Sequence, residues 1–92
     1  MQEQHKRAIR LLDKIRQYCD MPNAPAAVEL KNQAQKLIDM FEQQKNARTL
    51  EEQVVRVQNA ALRMRDDEMD YNDRDDVKDR CDDMRMALRK LK

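Results

Sequence analysis

Pro25-Ala26-Ala27-Val28-Glu29-Leu30-Lys31-Asn32-Gln33-Ala34-Gln35-Lys36-Leu37-Ile38-Asp39-Met40-Phe41 carries apolar residues at steps of three and four: Ala27, Leu30, Ala34, Leu37 and Phe41, with Ile38 beside them. Such steps put every member on one face of an α-helix. Pro25 suits the first helical turn, where its missing N–H removes no hydrogen bond. Just upstream, Pro22 disfavours the α region at Met21, so a helix preceding this stretch must stop there.

The same periodicity recurs on both sides. Before the break, Ala8, Leu12, Ile15 and Cys19 form a stripe flanked by Leu11 and Tyr18. After it come Leu50, Val54, Val57, Ala61 and Met64, widened by Val55 and Leu62, and then Val77, Cys81, Met84, Leu88 and Leu91. Alternating steps of three and four are the pattern of helical bundles and coiled coils. Thr49 with Glu52 three residues on reads as a capping box after a break at Asn46-Ala47-Arg48. From Met64 to Val77 the chain takes 13 steps. At the pitch of an α-helix that is not a whole number of turns, and the second stripe would fall on nearly the opposite side from the first. One straight helix cannot serve both stripes. A turn near 71–73, with Asn72 or Asp73 as cap, resolves this. The expected fold is all-α: a small antiparallel bundle forming one domain over 1–92, with helices at about 3–20, 25–45, 50–70 and 74–91. The alternative is three helices with a long, bent third one.

Composition agrees. The 92 residues include no glycine, no tryptophan and only two prolines, so the usual punctuation of turns and strands is nearly missing. Aromatics are limited to Tyr18, Phe41 and Tyr71, which leaves the core to aliphatics and Met. Nineteen basic residues offset eighteen acidic ones, so global charge favours neither nucleic acid nor an anionic membrane. No apolar run is long enough to span a bilayer. Met1 is followed by polar residues, so no leader is expected. Two cysteines 62 positions apart make no disulfide framework and point to a reducing, cytoplasmic setting.

Charge is unevenly placed. Residues 66–83 hold ten acids against Arg74, Lys78 and Arg80, a local net of −7; residues 84–92 carry four basic side chains and no acid. Acids early and bases late complement a helix dipole. The excess of acid marks a candidate patch for a basic partner, with Asp75, Asp79 and Asp82 on its solvent side. Ile9, Val28, Met40, Met69 and Met86 lie off the main stripes; with Met21 they form a candidate apolar strip, centred on Met40 and Met86, for a partner helix. Lys6, Arg10 and Lys14 recur every fourth residue beside Arg7, a stripe suited to a phosphate backbone.

Catalytic chemistry finds little material. Serine is absent, Cys19 and Cys81 fall on apolar stripes, and His5 is placed at a fraying terminus. The acids lack the Gly and Glu that a calcium loop needs, since Tyr71 and Val77 occupy those places. Two Cys and one His do not complete a zinc site in one chain. No cofactor and no metal are expected. The composition points to a non-enzymatic helical protein–protein interaction module of adaptor, chaperone or inhibitor type. Its expected partner is another protein, or a second copy in a homodimer, with no membrane role. The alternatives are a small nucleic-acid-associated regulator using the helix 1 stripe, and a structural self-assembling bundle.

Overall fold

The computed structural model describes residues 3–19 and 24–90, in four helices and without strands among those residues. They are α1 (Glu3–Gln17), α2 (Pro25–Glu42), α3 (Ala47–Leu62) and α4 (Tyr71–Lys90). The expected stop at Met21-Pro22, and Leu91 and Lys92 at the other end, lie outside the described residues. Each helix packs on the next in sequence, and α1 closes the ring against α4. Contacts between them fix direction. Arg7 meets Asp83 while Tyr18 meets Asp76, and Glu51 meets Arg89 while Gln58 meets Asp82. In both pairs the numbers rise on one helix as they fall on the other, so α4 runs antiparallel to α1 and α3.

One apolar core joins all four helices. Leu12, Ile15, Leu30, Leu37, Leu50, Val54, Val57 and Val77 are wholly excluded from solvent. These are the stripes expected from spacing. Leu62 departs from its stripe and is 60% exposed, since it lies about 100° round α3 from the buried Ala61. One polar side chain is buried with its partners in place: Gln53 Nε2 donates to the Gln33 backbone oxygen at 3.0 Å and to Gln33 Oε1 at 2.7 Å. Burying an amide without partners costs several kcal/mol, roughly 2–7. This pair therefore favours one register of α2 against α3.

The turns are made without glycine. At the end of α2 the Lys45 amide donates to the Met40 oxygen and the Gln44 amide to the Phe41 oxygen, both at 3.1 Å. That is a Schellman motif, which needs a left-handed residue after the cap. Gln44 fills the position with φ 56. A Cβ is disfavoured in that region. Asn46 then caps α3, its side chain accepting from the Thr49 amide at 2.9 Å. The expected Thr49–Glu52 capping box is thus corrected: Thr49 is the third residue of α3, and Glu52 sits 3.8 Å from Arg48. Asn and Thr are both good caps, and the asparagine comes first along the chain.

The turn between α3 and α4 also lies earlier than expected, at 63–70 rather than 71–73. Arg74 Nη1 donates to the Met64 backbone oxygen at 2.8 Å, and Arg74 also pairs with Asp66. The guanidinium satisfies a carbonyl that a helix C-terminus leaves bare. Met64 and Met69 turn inward and seal this end of the core, so Met69 does not belong to an exposed strip. Asp70, just ahead of α4, accepts from the Asn72 amide at 3.4 Å.

Leu37→Ala, at a site fully excluded from solvent, is expected to cost about 2–5 kcal/mol in denaturant unfolding. Lys31→Ala on the exposed side of α2 is expected to cost under about 0.5 kcal/mol. Gln44→Gly removes the left-handed penalty and is expected to stabilise by about 0.5–1 kcal/mol, visible as a higher thermal midpoint. A lower midpoint for Gln44→Gly would show that the side chain makes a contact worth more than the strain.

Candidate functional site

Of the four neighbouring helix pairs, α1 and α4 are the least closely packed. Two devices hold this seam. Towards the α1 C-terminus the Tyr18 hydroxyl donates to Asp76 Oδ2, which also accepts from Arg80 Nε at 2.9 Å. The Lys14 ammonium lies 5.6 Å from the Tyr18 ring centre. The Tyr18 hydrogen bond, and then Arg80, hold the Asp76 carboxyl below its ordinary range. The same bond, then burial, raises the Tyr18 hydroxyl above its ordinary value of 10.0. Further along, Arg7 Nη2 comes within 3.7 Å of Asp83 Oδ2, and both side chains are more than half exposed. Solvent screening leaves such a pair with little net stabilisation.

Beyond Asp83 the seam opens into a groove of about 180 Å³. Its floor is apolar: Ala8, Phe41, Met84 and Leu88, with Leu11 half-buried beside them. Arg7 and Lys90 stand at its rim with Asp83 and the exposed Met86. His5 forms part of the wall. Its ring packs edge-on to Phe41 with centres 5.3 Å apart. The residue is only 7% exposed, and its Nδ1 has no hydrogen-bond partner. This corrects the placement of His5 at a fraying end. The spacing held the signal: His5 lies three residues before Ala8 and extends the stripe by one step. Gln53 was missed in the same way, between Leu50 and Val57 on the α3 stripe. Polarity hid both positions.

The anticipated site residues separate. Lys6, Arg7, Arg10 and Lys14 are exposed on α1 as a stripe. Arg7 lies near Asp83, Arg10 is 3.5 Å from Glu3, and Lys14 rests on Tyr18, so acids of α1 and α4 stand among the bases. Asp75 and Asp79 face solvent. Asp82 is half-buried and accepts from Gln58 Nε2 at 3.4 Å, tying α4 to α3. Met40 and Met86 are not joined in one strip. Met40 is half-buried against the core on α2, Met86 is 58% exposed on α4, and these helices are not neighbours. Val28 is exposed and Ile9 half-buried.

Both cysteines are buried thiols, and burial pushes Cys81 up to about 12. Among the described residues no three His, Cys, Asp or Glu side chains converge to hold a metal. No described helix is long and apolar enough to cross a membrane. No protein-family model, curated protein or solved structure matches the chain.

Tyr18→Phe is expected to cost about 1 kcal/mol at neutral pH, less than the roughly 1.5–3 kcal/mol of a bond to a buried charged acceptor because Asp76 is partly exposed. Asp76 has a depressed folded value, so its contribution is complete above the ordinary 3.8 and is lost as pH falls below it. Tyr18 has a raised folded value, so its contribution is complete below 10.0 and is lost as pH climbs past it. Urea unfolding of both proteins across pH is expected to show the gap at pH 7 shrinking at either extreme. A gap independent of pH would assign the cost to packing alone.

Proposed function

We propose that this chain is a non-enzymatic helical interaction module whose docking element is the α1–α4 groove. One observation carries the reading: an apolar recess between α1 and α4 whose rim holds Arg7 and Lys90 beside Asp83, with His5 in its wall. His5 Nδ1 lacks a partner but is closed to solvent in this conformation, so a docking partner meets it only by turning the ring. Size favours a side-chain anchor over a drug-sized molecule. Sites for the latter run to about 300–1,000 Å³, whereas an apolar cavity of about 150 Å³ admits one benzene ring. A recess of 180 Å³ therefore suits one large side chain of a protein partner. Single anchors in such recesses dominate many interfaces.

The absence of catalysis is part of the same reading. A thiol held at about 12 supplies almost no thiolate at neutral pH. Asp75 and Asp79 project from an open helix face, and Asp83 at the groove rim lies beside Arg7. Two buried thiols support the cytoplasmic setting. The acidic stripe of Asp75 and Asp79 adds a field that would steer a charged partner.

The anchor site is tested with 3-(4-hydroxyphenyl)propionate, a phenol bearing one carboxylate, titrated into dilute labelled protein and followed by amide NMR shifts. Binding at roughly millimolar strength is expected for a ligand of this size. Shifts should concentrate at Ala8, Met84 and Ala87 and vanish in Ala87→Trp, which fills the recess. Shifts scattered over all four helices, or none at saturating probe, would remove the groove as a docking element.

A further inference from the structure

We propose that the side chain docking in the α1–α4 groove is Tyr71 of a second copy of this chain, so that copies join head to tail. The contact presupposes that the groove is an anchor site, and it adds the identity of the anchor.

Three observations converge on Tyr71. The first is chemical. His5 Nδ1 lacks a partner in the wall of the groove. An imidazole nitrogen offers either a lone pair or an N–H, and a hydroxyl complements both. A ring carrying a hydroxyl therefore fills the recess and, once the imidazole turns toward it, satisfies a nitrogen that this conformation closes to solvent. The second is availability. Of the three aromatic residues, Phe41 is 1% exposed in the core and the Tyr18 hydroxyl is committed to Asp76. Tyr71 is 64% exposed, with Arg74 lying 5.9 Å from its ring centre. The third is charge. Tyr71 sits among Asp70, Asp73 and Asp75 in the strongly acidic part of the chain, whereas the rim carries Arg7 and Lys90 against the single acid Asp83. Opposite fields steer such surfaces together.

The two features lie at opposite ends of α4, which runs for 20 residues. On α4 the groove begins at Asp83, about 18 Å along the helix from Tyr71 and beyond the reach of its side chain. Donor and acceptor are different patches, which makes the contact heterologous; assembly passes beyond the dimer unless a ring closes.

Sedimentation equilibrium of the full chain between about 20 µM and about 1 mM tests this, the range suiting a small, weak interface. The mass is expected to rise from the 11.1 kDa of the monomer past that of a dimer. The rise should be less steep at high salt, which screens the opposing fields. Tyr71→Ala should weaken association by about thirtyfold or more, as for a central anchor. Tyr71→Phe should weaken it roughly two- to tenfold, the share of one hydrogen bond. Ala87→Trp should abolish it. Should that variant misfold, Arg7→Glu combined with Lys90→Glu reverses the rim at two exposed positions and should also abolish it. The decisive arm mixes Tyr71→Ala, which keeps its groove, with Ala87→Trp or the rim-reversed double variant, which keeps its tyrosine. With Ala87→Trp a 1:1 complex that grows no further is expected. A wild type that stays monomeric at the highest concentration overturns the inference, and so does association that survives Tyr71→Ala unchanged. If the phenol probe still binds a monomeric protein, the groove stands and only the identity of the anchor falls.

Discussion

The reversal of the chain between Met64 and Val77 is the constraint on which the rest of the molecule depends. The apolar stripes on either side of it point in nearly opposite directions, so a straight continuation would expose one of them. Folding back lets α4 lay Val77, Cys81, Met84 and Leu88 on the same core as the other helices. No glycine or proline marks the bend. It is held instead by Arg74, whose guanidinium reaches the Met64 carbonyl and Asp66, and by Met64 and Met69 turning inward beneath it. Without that reversal α4 would have no partner, and the α1–α4 seam would not exist.

The seam differs along its length, and that difference produces the groove. Tyr18, Asp76 and Arg80 close it at one end with hydrogen bonds and partial burial. At the other end the link is the exposed pair Arg7–Asp83, and small residues, Ala8 and Ala87, stand where larger ones would fill the space. The other helix pairs pack more closely, and two of them add polar contacts: Gln53 with Gln33, and Glu51 with Arg89. A recess therefore forms where packing is thinnest, and it leaves a histidine nitrogen unpaired.

Charge follows the same geometry. The acids of α4 and the bases of α1 look like separate surfaces when counted along the chain. Antiparallel packing sets them side by side, and Arg7 and Lys14 fall close to Asp83 and to the Tyr18–Asp76 pair. Each patch is partly offset by the other. The balance differs between the two ends of α4: carboxylates gather around Tyr71, while Arg7 and Lys90 flank Asp83 at the groove.

Periodicity by itself determined that the chain is all helical and named most of its buried aliphatic residues; it favoured four helices over three with a long, bent third one, and the described residues show four. A lone helix leaves its apolar stripe in water, so the stripe dictates which face must find a partner. Local propensity could not locate the α3–α4 turn or the cap of α3, because Asp, Asn and Thr serve helices and turns alike. Only tertiary structure decided that Met69 is inside and Leu62 outside, that His5 belongs to the core, and that Met40 and Met86 stand apart on helices that do not meet. Those outcomes depend on which helix lies across from which. That information is carried by contacts between residues far apart in the chain.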